Sequence, residues 1–125
     1  MTTTATTEST LALLTRFEKA FNPLDVDALM SDMSEDVVFE HIAPAGAGLG
    51  RHEGQAAVRA VWESLPSHFP DFKLEIVDIF AGADRGACRW SMTWRQEDGN
   101  EGSMRGCDFF RVRDGKITEK LSYTA

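Results

Sequence analysis

Between Ser103 and Val112 the side chains alternate in character, and this alternation constrains the fold of the chain more than any other stretch. Met104, Gly106, Asp108, Phe110 and Val112 fall on one side of an extended backbone; Arg105, Cys107, Phe109 and Arg111 fall on the other. Period-two patterning marks a strand with one buried side. The first row is apolar except for a single carboxylic acid at its centre. Such an acid must be paired, hydrogen-bonded or protonated, because burying a bare charge is costly. Asp108 is therefore either an acid satisfied by internal partners or the chemical centre of a pocket. Its apolar neighbours should raise its pKa by desolvation and hold it neutral.

The neighbouring strands follow from the same logic. Asp114-Gly115 is a two-residue hairpin signal of the strongest kind. With that turn, Arg113 faces Lys116, Val112 faces Ile117 and Asp108 faces Leu121. Ile117, Glu119, Leu121 and Tyr123 then share the face of Asp108, with Glu119 and Tyr123 as its diagonal neighbours. Upstream, Cys88, Trp90, Met92 and Trp94 alternate with Arg89, Ser91, Thr93 and Arg95. Further upstream, Phe72, Leu74, Ile76 and Phe80 share a face with Asp78.

The first half of the chain reads as helical. From about Ser9 to Phe21, Leu11, Leu14, Phe17 and Phe21 recur at helical spacing until Asn22-Pro23 stops the run. A short second helix follows, capped by Asp25 and burying Leu24, Ala28 and Leu29. Val37–Ile42 reads as a short strand with Val37, Phe39 and His41 on one face. Ala43–Gly50 is a run of small residues, either a flap over a pocket or a plain connection. A third helix from about Gly54 to Leu65 buries Ala57, Val58, Val61, Trp62 and Leu65, ending before Pro66. Residues 1–8 form a disordered tail and residues 9–125 a single α+β domain, with three helices covering a strongly curved, mostly antiparallel sheet.

Composition narrows the partners. A formal net charge of −7 on 125 residues argues against a nucleic-acid binder that works through phosphate contacts. His41, His52 and His68 lack the spacing of a metal site, so no metal is expected, and no motif calls for a cofactor. Cys88 and Cys107 fall on opposite faces of the sheet and should not form a disulfide. Free thiols and the lack of a basic-apolar leader fit a cytoplasmic location, and no stretch approaches a membrane span. The face opposite Asp108 carries Arg89, Arg95, Arg105 and Arg111 with Phe109, Val77 and Ile79, a pattern suited to a homodimer interface.

Several local phrases carry a resemblance: Asp25-Val-Asp-Ala-Leu, Asp36-Val-Val-Phe-Glu, His52-Glu-Gly-Gln-Ala-Ala-Val-Arg and Asp108-Phe-Phe-Arg-Val-Arg-Asp-Gly-Lys-Ile117. With the order of elements, they resemble the SnoaL-like and ketosteroid-isomerase-like families of the nuclear transport factor two superfold. The resemblance implies a cone-shaped α+β barrel around an apolar pocket. It places Asp108 where the isomerases hold an enolate-stabilising aspartic acid that an apolar site keeps neutral. It places His41 where they hold the general base, and Phe17 where they hold a tyrosine. The Asp-Arg-Asp trio of the fold's epoxide hydrolases has no counterpart on the Cys88–Trp94 row.

The expected function is cofactor-independent acid–base proton transfer on a hydrophobic carbonyl compound: cyclisation, isomerisation or dehydration. Asp108 and His41 are the expected catalytic pair. Tyr123, Phe17, Trp62, Trp90, Met92, Trp94, Met104 and Phe110 are the expected substrate contacts. The alternative is a protein that binds a small apolar ligand without chemistry.

Overall fold

The computed structural model describes residues 6–44 and 48–125. In chain order it contains α1 (Thr7–Lys19), α2 (Val26–Ser31), β1 (Met33–Ile42), β2 (Gly50–Glu53), α3 (Gln55–His68), β3 (Lys73–Ala81), β4 (Arg85–Arg95), β5 (Glu101–Arg113) and β6 (Lys116–Thr124). One six-stranded sheet runs in the order β2-β1-β6-β5-β4-β3, and only the β1–β6 pairing is parallel. The helices cover one face of this curved sheet, and the core lies between them. Among the described residues no helix is long and apolar enough to cross a membrane. Of the tail expected at residues 1–8, residues 1–5 lie outside the described residues, while Thr6, Thr7 and Glu8 are ordered as the cap and first turn of α1.

α1 starts at Thr7, ahead of the expected Ser9, because Thr6 caps it. The Thr6 hydroxyl accepts from the Ser9 amide at 3.0 Å and the Ser9 hydroxyl accepts from the Thr6 amide at 2.9 Å. The buried stripe is Thr10, Leu13, Leu14, Phe17 and Glu18, continued by Phe21, while Leu11 is exposed. The expected stripe was thus turned by about one residue at its start. α3 continues past Pro66, because the Phe69 amide closes the last turn on the Leu65 carbonyl at 2.8 Å. β2 was not expected from sequence: it is a four-residue edge strand of mostly charged residues, Arg51-His52-Glu53. Short, charged edges of this kind resist pairing with other chains and leave little apolar pattern to read.

Two single-residue bulges reset the sheet's phase. In β3, Ile76 pairs with Trp90 but Asp78 pairs with Arg89, leaving Val77 unmatched. Ile79 therefore packs on the core, whereas Phe80 and Asp78 turn outward, the reverse of the expected phase. In β6, Val112 pairs with Ile117 as the Asp114-Gly115 turn dictates, but Arg111 pairs with Glu119. Thr118 is the extra residue, and its hydroxyl donates to the Arg111 carbonyl at 3.3 Å. Beyond it Asp108 stands opposite Ser122 instead of Leu121. Lys120 and Ser122 enter the core, and Leu121 and Tyr123 leave it.

β4 and β5 keep the alternation read from the sequence, with Cys88, Trp90 and Met92 buried on the face that Asp108, Phe110 and Val112 share. Cys88 and Cys107 lie on opposite faces, both as free thiols. Two glycines of β5 make room for the β4 indoles. Gly106 pairs with Trp90 and Gly102 with Trp94, and in each case a Cβ on the glycine would meet the indole ring at 2.4 Å. Gly106→Ala should cost about 1–3 kcal/mol, since Trp90 has to leave its rotamer to admit the methyl group. Urea unfolding of this variant checks the expectation, and wild-type stability would mean that the indole moves freely.

Candidate functional site

The helices and the concave face of the sheet enclose a cavity of about 60 Å³. Its floor is fully buried and polar: Glu18 from α1, Asp108 from β5, and Lys120 and Ser122 from β6. Its walls are Phe21, Phe39, Trp62, Trp90 and Met92, and partly exposed Leu49, Leu65, Phe69, Phe72, Leu74 and Met104 form an apolar mouth.

Lys120 holds the floor together. Its ammonium lies 3.4 Å from Asp108 Oδ2 and donates to Ser122 Oγ at 2.9 Å; Ser122 in turn donates to Asp108 Oδ1 at 2.6 Å. Phe39, Trp62 and Phe21 surround the same ammonium with ring centroids at 4.8, 5.2 and 5.5 Å. Cation–π attraction to desolvated rings adds to the ion pair. A buried ion pair is tolerable only when its remaining hydrogen-bonding capacity is used, and here Ser122 uses it.

Asp108 and Glu18 are driven in opposite directions. Burial alone would raise Asp108, as the sequence suggested, but Lys120, then Glu18, Ser122 and Trp90, outweigh it and hold the carboxyl below its ordinary range. Asp108 is thus the ionised partner, correcting the expectation of a neutral acid. Glu18 is pushed well up, by burial first and by the Asp108 charge second. Neither Glu18 oxygen has a hydrogen-bond partner, so nothing offsets the cost of burying its charge and the carboxyl keeps its proton. Burial also pushes the Cys88 thiol up, so it is no thiolate nucleophile.

His41 lines the cavity from β1, with both ring nitrogens engaged. The Leu49 amide donates to Nδ1 at 2.9 Å, and Nε2 lies 3.0 Å from the Thr124 hydroxyl. Nδ1 as acceptor makes Nε2 the protonated nitrogen. Burial, and then Lys120, lower its pKa and keep the ring neutral. Leu49 is next to last in the Ala43–Gly50 segment, so His41 pins that end of the segment to the rim; the flap expectation itself falls partly on residues 45–47, outside the described residues.

The other expected contacts separate into two groups. Trp62, Trp90, Met92 and Met104 line the cavity. Phe17 and Phe110 sit behind its wall, edge to face at 5.9 Å. Trp94 packs at the rim on Phe69, centroids 5.0 Å apart. Tyr123 lies on the outer face, 43% exposed and against Phe109, because the Thr118 bulge turned it away. Sequence reasoning missed Glu18, Lys120 and Ser122. Glu18 carried a signal: it stands four residues after Leu14 and three before Phe21, an acid within an apolar stripe. Lys120 carried none: a regular ladder from the Asp114-Gly115 turn puts it in the wholly polar row Lys116, Thr118, Lys120, Ser122 and Thr124, which reads as solvent-facing.

A concave sheet closed by three helices over an apolar cavity with a polar floor defines the nuclear transport factor two-like class. The SnoaL-like domain family matches residues 14–120, and the chain belongs to that family. It is similar to an NTF2-like protein of unknown function from Mesorhizobium loti, 31% identical over 95% of this chain and 93% of that one, with a TM-score of 0.77. A candidate ketosteroid isomerase from Kribbella flavida shares the fold at 21% identity, covering 98% of this chain and 82% of that one, TM-score 0.78. An epoxide hydrolase from M. tuberculosis does so at 19% identity, covering 95% and 84%, TM-score 0.77. No functionally curated protein matches the chain in sequence.

The two carboxyls give stability opposite pH dependences. Glu18 binds its proton more tightly folded than unfolded, so its contribution is complete below its ordinary value of 4.5 and is lost as pH rises toward its raised native value. Asp108 contributes above its ordinary value of 3.8, and that contribution is lost as pH falls through its lowered native value. Glu18→Gln removes the first dependence alone. Its stability relative to wild type should therefore rise between pH 5 and pH 8, with a slope of up to about 1.4 kcal/mol per pH unit. Parallel urea-unfolding profiles for the two proteins would show that Glu18 titrates as in the unfolded chain.

Proposed function

We propose that this domain catalyses cofactor-independent proton transfer on a small apolar carbonyl compound, in an isomerase-, cyclase- or lyase-type reaction. The observation that carries this reading is the Glu18–Asp108 pair. Two carboxyls whose surroundings drive their pKa values apart supply an acid and a base at one place. Asp108 is the base and Glu18 the proton donor to the substrate oxygen. Lys120 steadies the charge that moves between them. A carboxylate held below its ordinary range is a weak base, which favours substrates whose C–H is acidified by more than one carbonyl. His41, with its lone pair given to Leu49, positions the rim.

Membership of a family whose fold neighbours include a candidate ketosteroid isomerase and an epoxide hydrolase supports an enzymatic reading. A binding protein is the second reading, favoured by one fact: both Asp108 oxygens already have partners inside the protein. Deuterium exchange into a panel of small cyclic 1,3-dicarbonyl compounds, followed by NMR, separates the two. Asp108→Asn should slow exchange or turnover about 10²–10⁴-fold, the usual scale for a general base, and His41→Gln should slow it less. An Asp108→Asn protein as fast as wild type would end the catalytic assignment.

We further propose that two copies associate through the outer face of the sheet. Val77, Phe80, Phe109 and Tyr123 are 54, 64, 48 and 43% exposed there. Among the described residues Arg89, Arg105 and Arg111 form no ion pair within the chain. Asp78 stands opposite Arg89 in register and Glu119 opposite Arg111, so acids and arginines alternate across the apolar patch. Such a patch is complementary to its own two-fold copy. Light scattering at micromolar concentration should give twice the 13.9 kDa chain mass, and Phe109→Glu should halve it. A wild-type monomer would remove the proposal.

A further inference from the structure

Buried polar atoms without a partner are rare in native proteins, and each one costs stability. Among the described residues there are four: both Glu18 carboxyl oxygens, Trp62 Nε1 and Trp90 Nε1. All belong to residues that line the one cavity described above. They arrive from three separate elements, α1, α3 and β4, so no single local distortion accounts for them. Trp62 and Trp90 are 2% and 6% exposed, which leaves bulk water no route to satisfy their N–H groups. Trp90 lies near enough to Asp108 to favour its charge, but without hydrogen-bonding geometry.

An indole N–H can only donate. Two idle donors on residues that wall a cavity with an apolar mouth call for a ligand that brings an acceptor and little else that is polar. The charge of the floor narrows the ligand further. Lys120 and Asp108 cancel, Glu18 keeps its proton and His41 is neutral, so the floor as a whole offers no charge to a charged ligand. A carboxylate would meet Asp108, and an ammonium would meet Lys120.

We propose that Trp62 and Trp90 form a subsite for the oxygen of a neutral ligand, a ketone or similar carbonyl, with the carbon skeleton held by Phe39, Phe72, Leu74 and Met104 toward the mouth. The subsite rests on the cavity being the ligand site of the reading above, but it requires no chemistry there. It assigns recognition to two indoles and leaves proton transfer to the carboxyls. The size of the cavity limits the ligand to a compact one, of the order of a single small ring.

The test compares cyclopentanone with methylenecyclopentane, which has nearly the same shape and no acceptor. In the wild-type protein the ketone should bind at least about fivefold more tightly, as expected for one net hydrogen bond. In ¹⁵N-resolved NMR spectra the Trp62 and Trp90 indole N–H signals should move downfield with the ketone and stay with the hydrocarbon, and Trp94 should serve as the unmoved control. Trp62→Phe and Trp90→Phe should each narrow the preference. The wild-type spectra decide the matter even if a variant folds poorly. Equal affinity for the two probes, binding of neither, a shift confined to Trp94, or tighter binding of cyclopentanecarboxylate would each overturn the proposal. Ketone preference without any exchange or turnover sinks the catalytic reading alone; turnover without ketone preference sinks the subsite alone.

Discussion

The ion pair between Lys120 and Asp108 exists because β6 contains one residue too many. With a regular ladder, Lys120 would point to solvent and Asp108 would lie in an apolar row beside Leu121, an acid forced to stay protonated. The extra residue, Thr118, shifts the outer half of β6 by one position and sets Ser122 opposite Asp108. Three consequences follow from that one irregularity. The carboxylate is ionised, its charge pushes the proton onto Glu18, and the aromatic walls gain a cation to surround. The polar floor is thus a property of strand register before it is a property of any single residue.

The same irregularity explains what the sequence revealed. β4 and β5 pair without interruption over eleven positions, so their alternation could be read directly and Asp108 recognised as an interior acid. A bulge breaks the rule on which that reading depends, and it leaves no mark in the pattern: Leu121 and Tyr123 read as buried and Lys120 and Ser122 as exposed, the reverse of where the bulge puts them. Phe80 and Ile79 exchanged faces for the same reason at Val77. The family was legible in short phrases along the chain, because those phrases encode turns and packing shared by the fold. The charge state of Asp108 was not, because it is set by a lysine that alternation had placed outside. Glu18 was legible in principle: a helix that buries Leu14, Phe17 and Phe21 must also bury the residue between them on that stripe.

His41 illustrates how a position can keep its place while its chemistry changes. It lines the cavity from β1, where the resemblance put a base, yet its hydrogen bonds tie a rim segment to β6 through Leu49 and Thr124. With the imidazole committed to structure, the proton transfer proposed above falls to deeper groups that bulk water does not reach. Isolation of that kind strengthens every electrostatic interaction among Glu18, Asp108 and Lys120.

The sheet order has a consequence for how the chain reaches this state. β6 comes last among the strands but lies in the middle of the sheet, joining the β2-β1 hairpin on one side to the β5-β4-β3 meander on the other. Until it is in place, these two blocks share no backbone ladder, and the facing edges of β1 and β5 are bare. The helices and each block can therefore form their own contacts first, yet the cone is not complete before residues 116–124 take their place. Contacts that span most of the chain, such as Met33 with Ile117, are the slow kind to form because a long loop must close first. The residues that complete the sheet also bring Lys120 and Ser122, so the last strand to be translated delivers the charge without which Asp108 has no partner.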